Sequence, residues 1–232
     1  MEIIVPAAGL STRFPNTKPK YMLTDFTGEM MIQKTLSNWV GAYNITIGIL
    51  QEHWEQYGAV HHIRQAFGEL VKIVVLPERT KGPADTVYQI LKTGSIDPDT
   101  AIFIKDCDSF FDYDIHEGNY ICVSDVKNHT VLNRLAEKSF VVANDQGIID
   151  SIVEKQVVSN KFCVGGYGFA SASDYMKYYE TLDTDQEIFV SHVIDTAILD
   201  GKIFTEAPVT SYVDVGTITE WAEYNQKEVA CK

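Results

Sequence analysis

The chain has 232 residues and carries 19 Lys and Arg against 32 Asp and Glu, for a formal net charge of −13 at pH 7. That balance argues against a general basic surface for duplex nucleic acid or an anionic membrane. Hydrophobic content of 45% and charged content of 22% are those of an ordinary globular protein with room for one sizeable core.

The apolar, β-branched runs Glu2–Val5, Ile45–Leu50, Leu70–Leu76 and Ala101–Lys105 read as strands covered on both faces, as in a parallel sheet. Helical spacing lies between them. Met31, Thr35, Leu36 and Trp39 form one apolar face, Val60, Ile63 and Phe67 a second, and Val87, Ile90 and Leu91 a third, behind a helix start at Pro83. Strands alternating with helices predict right-handed βαβ units. After residue 106 the pattern changes. Strands are expected at Tyr120–Asp125, Phe140–Ala143, Ile148–Glu154 and Phe162–Ala170, with a hairpin turn at Asn144-Asp145-Gln146-Gly147. Helices near Ser173–Thr181 and Glu187–Leu199, a strand near Ser211–Val215 and a helix near Thr219–Glu228 complete the reading. An α/β half followed by a mixed-sheet half places ligands at the carboxyl ends of the parallel strands.

No apolar run approaches the ~20 residues that span a bilayer. The acidic Met1-Glu2 start and the break at Pro6 do not make a signal peptide. Cys107, Cys122, Cys163 and Cys231 show no CxxC or zinc-like spacing, so they are expected as reduced, mostly buried thiols in a cytoplasmic protein. His61-His62 reads as helix surface.

Four segments carry chemistry. The first is Val5–Leu23, a loop of small residues after the first strand. It holds Arg13, Lys18 and Lys20, and no acid occurs from Ile3 to Thr24. Small side chains let backbone N–H groups approach phosphate oxygens, and fixed cations offset the charge. Gly9 offers positive φ or close approach, Ser11 and Thr12 offer hydroxyls, Arg13 a bidentate grip and Lys20 a point charge. Neither Walker A nor G-x-G-x-x-G is present, and an ordinary strand-to-helix loop is the alternative. The second segment is Asp106-Cys107-Asp108, two carboxylates just past a buried strand. In an extended segment they point the same way and can hold a hard cation; a solvated acidic loop is the alternative. The third is Asp214-Val215-Gly216-Thr217, an acid in an apolar strand before a turn and helix N-cap. The fourth pairs Glu154-Lys155, ion-pair-like at a strand end, with Val164-Gly165-Gly166-Tyr167-Gly168, whose glycines suggest a ligand or backbone passing close by.

Together and in this order the segments resemble the sugar-1-phosphate nucleotidyltransferases, or nucleoside-diphosphate-sugar pyrophosphorylases, over nearly the whole chain. Ala8-Gly9-Leu10-Ser11-Thr12-Arg13 stands where that family has a G-x-G-T-R-type loop, and Pro19-Lys20 matches its Pro-Lys pair. Gly82-Pro83-Ala84 echoes its Gly-x-Ala turn, Cys107-Asp108-Ser109 its Gly-Asp-Asn, Glu154-Lys155 its Glu-Lys pair and Gly165-Gly166-Tyr167 its Gly-x-Tyr segment. Asp214-Val215-Gly216-Thr217 matches its late Asp-x-Gly-Thr. The resemblance implies a Rossmann-like three-layer α/β/α nucleotide-diphospho-sugar transferase fold with a mostly parallel mixed central sheet. It also implies one domain over 1–232, with nucleotide-binding half 1–106 and acceptor-binding half 107–232.

The implied activity is nucleotidyl transfer from an NTP to a small phosphomonoester, such as a sugar-1-phosphate or a phosphocholine-like ester, with release of pyrophosphate. Arg13, Lys20 and Lys155 become catalytic. Ala7, Ala8, Gly9, Leu10, Ser11, Thr12, Gly82 and Ala84 bind nucleotide, and Glu154, Gly166 and Tyr167 bind acceptor. Asp108 and Asp214 hold Mg²⁺, with Asp106 as a further candidate. Two departures move the base towards CTP. Ala7-Ala8 replaces a double glycine, and Pro77 stands where many thymidylyl- and uridylyltransferases have glutamine. Residues Phe110–Asn119 are expected to border the acceptor. The implied setting is cytoplasmic synthesis of capsule or other cell-surface polysaccharide precursors, with no nucleic-acid or membrane partner and a homo-oligomer left open. A metal-dependent glycosyltransferase explains the D-x-D but not Arg13, Lys20 or the late Asp-Gly-Thr. A non-catalytic nucleotide-binding regulator is expected to lack the cations and acids that are all present here.

Overall fold

Ile3, Ile4 and Val5 are fully buried in β1 (Glu2–Pro6), which lies inside the sheet with a parallel partner on each edge. The structure is a computed structural model describing residues 1–129, 134–183 and 185–230, with residue 230 described by its backbone alone. After β1 come α1 (Met31–Leu36), β2 (Asn44–Leu50), α2 (Gln51–Tyr57), α3 (Ala59–Phe67), β3 (Lys72–Leu76), α4 (Pro83–Lys92) and β4 (Ile102–Lys105). The later part adds β5 (Ser109–Asp112), β6 (Tyr120–Asp125), β7 (Phe140–Ala143), β8 (Ile149–Val153), β9 (Lys161–Phe169), α5 (Ala172–Tyr179), α6 (Val190–Leu199), β10 (Thr205–Pro208), β11 (Thr210–Asp214) and α7 (Ile218–Ala230).

One nine-stranded sheet runs β10-β6-β9-β4-β1-β2-β3, with β7 attached to β9 and β8 to β7. β1 is parallel to β2 and β4, β2 to β3, and β10 to β6. β9 is antiparallel to β4 and β6, and its first residues also pair with β7. This is the mostly parallel mixed sheet that the sequence predicts. β5 and β11 form a separate antiparallel pair that joins Ser109 to Asp214.

Alternation along the strands makes three layers. Ile3, Val5, Ile45, Ile47 and Phe103 face Ile32 and Leu36 of α1 and Ile63 and Phe67 of α3. Ile4, Ile102, Ile104 and Phe169 face Val87, Ile90 and Leu91 of α4, together with Tyr175, Val193 and Ile194 of α5 and α6. Each such side chain contributes roughly 1.5–3 kcal/mol on full burial. Gly48 lets α4 approach the sheet, because a Cβ there would lie 2.6 Å from Ile90 Cδ1.

The differences from the sequence reading have local causes. α2 carries no apolar face, and only His53 in it is buried. β5 and β10 have four residues each, too few to show a period. β3 starts at Lys72 rather than Leu70, which is 56% exposed. α6 starts at Val190 rather than Glu187, because Ile188 is held in backbone pairing with the Gly82 turn: its N donates to Lys81 O at 2.8 Å and its O accepts from Ala84 N at 3.2 Å. Cys107, Cys122 and Cys163 are buried free thiols, and Cys231 lies outside the described residues. His61 and His62 are exposed. Among the described residues no helix is long and apolar enough to cross a membrane.

Candidate active site

The loops leaving β1, β4, β8 and β11 and the start of α4 surround one cleft of about 850 Å³. It is lined by Ala7, Ala8, Gly9, Leu10, Ser11, Thr12, Arg13, Lys20, Gly82, Asp106, Asp108, Glu154, Lys155, Tyr167 and Asp214. Two predicted site residues are not among its lining. Ala84 is fully buried and hydrogen-bonds through its backbone to Ile188 and to the Tyr175 hydroxyl. Gly166 lies inside β9, where a Cβ would meet Phe111 at 2.7 Å and Cys122 Sγ at 2.9 Å. Its smallness serves packing within the sheet. None of residues Phe110–Asn119 lines the cleft; Arg134, Glu137, Lys138 and Ser139 and residues 185–187 border it instead.

Phe14 is buried against Met31, Val215 and Trp221, and Tyr21 is buried in the main core; these two rings anchor the first loop. Just ahead of Phe14 the chain turns at Ser11, whose φ is 53°. Gly9 does not take a positive φ; that conformation falls on Ser11, where the resembled loops carry glycine. Ser11 Oγ accepts from the Lys20 backbone N at 3.0 Å and ties the two ends of the loop together. Lys20 Nζ donates to Asp108 Oδ2 at 2.6 Å, and Arg13 Nη2 lies 3.6 Å from the same oxygen. Burial works to lower the Lys20 pKa, but Asp108 outweighs it and the net shift is upward. Burial likewise works to raise Asp108, and Lys20 with Arg13 holds it well below the usual carboxylate range.

Cys107 and Asp108 form a turn rather than an extended continuation of the strand, so the two acids meet different groups: Asp106 meets Gly165, and Asp108 meets Lys20 and the Gly216 gap. Lys105 makes this turn. It is fully buried, and its Nζ donates to Asp106 O at 2.7 Å, Ser109 O at 2.8 Å and Ser109 Oγ at 2.8 Å. Burial pushes its pKa down to about 8. Asp106 faces Gly165, whose φ is 85° and where a Cβ would lie 2.7 Å from Asp106 Oδ2. Burial and then repulsion by Asp108 push the Asp106 carboxyl up to about 6.

Glu154 and Lys155 do not pair with each other. The Glu154 carboxylate accepts from the Ser139 and Ser191 hydroxyls, the latter at 2.6 Å. Lys155, at φ 55°, sits 4.0 Å above the Phe189 ring and 3.9 Å from Glu187 Oε2. Gly82, at φ 135°, turns the chain into α4, and a Cβ there would lie 2.5 Å from Ile188 O. The sequence reading missed Lys138, which donates to Asp214 Oδ2 and to the Tyr212 hydroxyl, and Arg134, which bridges Asp214 and Glu220. The only sequence signal for Lys138 is its place one residue before the Ser139 that precedes an apolar strand.

The β5–β11 pairing brings Asp108 and Asp214 to either side of Gly216. A Cβ at Gly216 would lie 3.1 Å from Asp108 Oδ2, 3.0 Å from Asp214 Oδ1 and 3.2 Å from Arg134 Nη2, so the missing side chain leaves a gap bordered by two hard oxygen donors and one guanidinium. Two carboxylates so placed fit Mg²⁺, which completes its shell with water and substrate phosphate oxygens. Among the described residues no group of three or more His, Cys, Asp or Glu is arranged to hold a metal.

No protein-family model matches the chain, and no curated protein matches its sequence. Solved structures match it over nearly its full length. A nucleoside-diphosphate-sugar pyrophosphorylase from Vibrio cholerae RC9 has 18% identity and a TM-score of 0.81, covering 97% of this chain and 99% of its own. The inositol-1-phosphate CTP transferase from T. maritima has 16% identity and a TM-score of 0.75, covering 97% of this chain and 93% of its own. A UDP-glucose pyrophosphorylase complexed with UDP-glucose has 14% identity and a TM-score of 0.76, covering 100% and 99%. The chain therefore has the three-layer, mostly parallel α/β/α fold of these nucleotidyltransferase structures.

Proposed function

We propose that the cleft transfers a nucleotidyl group from a nucleoside triphosphate to a small phosphomonoester. An acceptor phosphate oxygen forms the new bond to the α-phosphorus. The bond from that phosphorus to the β-bridging oxygen breaks, and pyrophosphate leaves with the electron pair. The acceptor oxygen is already largely anionic near pH 7, since the second pKa of such esters is about 6, so no general base is needed. The observation that carries this reading is the convergence of Arg13 and Lys20 on Asp108, with Asp214 across the Gly216 gap.

Nucleotidyl transfer asks mainly for positioning and charge neutralisation. Ala7 through Thr12 and the Gly82 turn frame the triphosphate. Arg13 takes the leaving pyrophosphate and Lys20 the α-phosphate region. Lys155 orients the incoming phosphate. Glu154, held by two serine hydroxyls, accepts hydrogen bonds from the rest of the acceptor, with Tyr167 beside it. Asp108 and Asp214 would hold Mg²⁺, with Asp106 as a further candidate, and the ion would neutralise phosphate charge.

Within this reading the base is cytosine. Support comes from Ala7-Ala8 in the cleft wall and from Pro77, which offers no amide where the resembled uridylyl- and thymidylyltransferases carry glutamine, although Pro77 itself does not line the cleft. The likeness in fold to a structure titled as a CTP transferase agrees with it. Cytoplasmic supply of cell-surface polysaccharide precursors and a single domain over 1–232 extend the same reading.

The test is a pyrophosphate-release screen crossing CTP, UTP, dTTP, ATP and GTP with sugar-1-phosphates and non-sugar phosphomonoesters in the presence of Mg²⁺. Release is expected with CTP and at least one acceptor. Strict use of UTP or dTTP removes the cytosine assignment, and nucleotide-sugar consumption without pyrophosphate favours the glycosyltransferase.

A further inference from the structure

We propose that Lys138, which holds Asp214 Oδ2, competes there with a divalent cation and once displaced supplies a further cation to the acceptor phosphate. The inference rests on the nucleotidyl-transfer reading for its last step only.

Asp214 presents two oxygens in different settings. Oδ1 accepts from the Gly216 backbone N at 2.9 Å, a bond within its own turn. Oδ2 meets Lys138 Nζ, with Arg134 Nη2 farther away at 3.5 Å. Arg134 is committed elsewhere, to Glu220 Oε2 at 2.6 Å. Oδ1 is therefore fixed by backbone, and Oδ2 depends chiefly on the Lys138 side chain.

The lysine head is poorly hydrated. The Lys138 side chain is 12% exposed, with its Nζ 5.4 Å from the Tyr212 ring centroid and 5.5 Å from that of Phe162. A pair of this kind loses hydration on both partners and regains it through their contact. A divalent cation at the Gly216 gap would reach the carboxylate through Oδ1, beside Arg134 Nη2, and would draw on the same negative charge that Lys138 holds through Oδ2; a lysine weakened there needs a new anion. The nearest chemistry for that anion is the acceptor side of the cleft. Lys138 O accepts from Lys155 N at 3.1 Å, and the neighbouring Ser139 hydroxyl holds Glu154. A lysine released from Asp214 thus stays beside the residues assigned to the acceptor. Asp108 also carries a lysine, Lys20, but on the oxygen that faces Gly216, Oδ2, whereas at Asp214 the oxygen facing Gly216 is Oδ1 and Lys138 holds the other one.

The experiment is Mn²⁺ binding without nucleotide, followed by calorimetry in wild type and Lys138→Met. Removing the competitor is expected to tighten Mn²⁺ about tenfold, the scale of a partly buried ion pair. Inorganic phosphate, used as the probe on the Mn²⁺-loaded proteins, is expected to bind the variant about tenfold more weakly, as loss of a charge-assisted contact requires. Lys138→Arg is expected to bind Mn²⁺ within about twofold of wild type, because the competing charge is kept. Unchanged or weaker Mn²⁺ binding by Lys138→Met overturns the competition, and unchanged phosphate binding overturns the transfer of the lysine to the acceptor. If Lys138→Met loses its cooperative melt, Lys138→Gln replaces it with the same expectations. A wild type that releases no pyrophosphate, paired with a variant that binds Mn²⁺ more tightly, removes the parent reading and keeps the competition. A wild type that turns over while Lys138→Met leaves Mn²⁺ binding unchanged removes only the role given to Lys138.

Discussion

Asp25 and Asp108 each pair with a lysine, and the two pairs are built in opposite ways. Asp25 Oδ1 accepts from Thr27 N at 2.8 Å, Thr27 Oγ1 at 2.6 Å and Glu29 N at 3.0 Å, while Lys34 approaches Oδ2 at 2.9 Å. All of these partners come from one short stretch of chain. Burial works to raise the Asp25 carboxyl, but Thr27 and Lys34 outweigh it and bring it to about 2. Asp108 is held by Lys20, 88 residues away, and by Arg13. Its partners are long side chains from another loop, in a cleft. An acid fixed by its own backbone turn is a structural element. An acid held by long cationic side chains in a cleft is, on the proposed function, a site whose partners exchange for phosphates and a metal ion.

The sharpest way to break this contrast is to remove a cleft charge. Lys20→Ala or Asp214→Ala is expected to lower kcat at least about a hundredfold, the scale for losing a charge from a desolvated phosphate site, with the cooperative melt retained. Near-normal turnover in either variant contradicts the assignment. Gly216→Ala tests the gap itself. Its Cβ would crowd Asp108, Asp214 and Arg134, and turnover is expected to fall about tenfold or more through misplaced charge, again with the melt retained and with weaker Mn²⁺ binding by calorimetry.

Asp25→Asn probes the other side of the contrast. The folded pKa of about 2 lies below the ordinary value of 3.8. The contribution of Asp25 is therefore fully present above about pH 4 and lost as pH falls through about 2. The variant is expected to lose about 2 kcal/mol by urea denaturation at neutral pH, with the difference from wild type shrinking towards pH 2 and turnover per folded molecule unchanged. A kcat loss comparable to that of Lys20→Ala would erase the distinction. The smallest effect belongs to Ser191→Ala, which removes one of two hydroxyls on Glu154. Acceptor KM is expected to rise severalfold, about 1 kcal/mol, with kcat retained.

The strands of the parallel part of the sheet were legible, though not their order, because β1, β2 and β4 are short, mostly apolar runs buried on both faces. Their signal is local and survives without knowledge of neighbours. The first loop was legible for a similar reason, as small residues and cations cluster within a few positions. The cleft wall around Glu154 was not. Lys138, Ser139 and Ser191 are single polar residues whose roles arise only when β7, β8 and α6 meet. Glu154-Lys155 read as an ion pair because adjacency was the only visible relation; the fold turns the two side chains to different partners. The glycines of Gly165-Gly166-Tyr167-Gly168 signalled close approach correctly but not its object. Asp106 and Ser109 approach Gly165, Phe111 and Cys122 approach Gly166, and the Tyr120 ring approaches Gly168. Lys105 gave no signal at all, since a lysine closing an apolar strand looks like its solvent-exposed end, whereas here it is the buried post that shapes the Asp106–Asp108 turn.

The measurement closest to the central claim is pyrophosphate release from an NTP and a phosphomonoester by wild type beside Lys20→Ala, with the nucleotide product followed in the same reaction. The account predicts one pyrophosphate for each nucleotide-linked product in wild type and a loss of both signals together in the variant. Product formation without pyrophosphate, or equal rates in the two proteins, would contradict it.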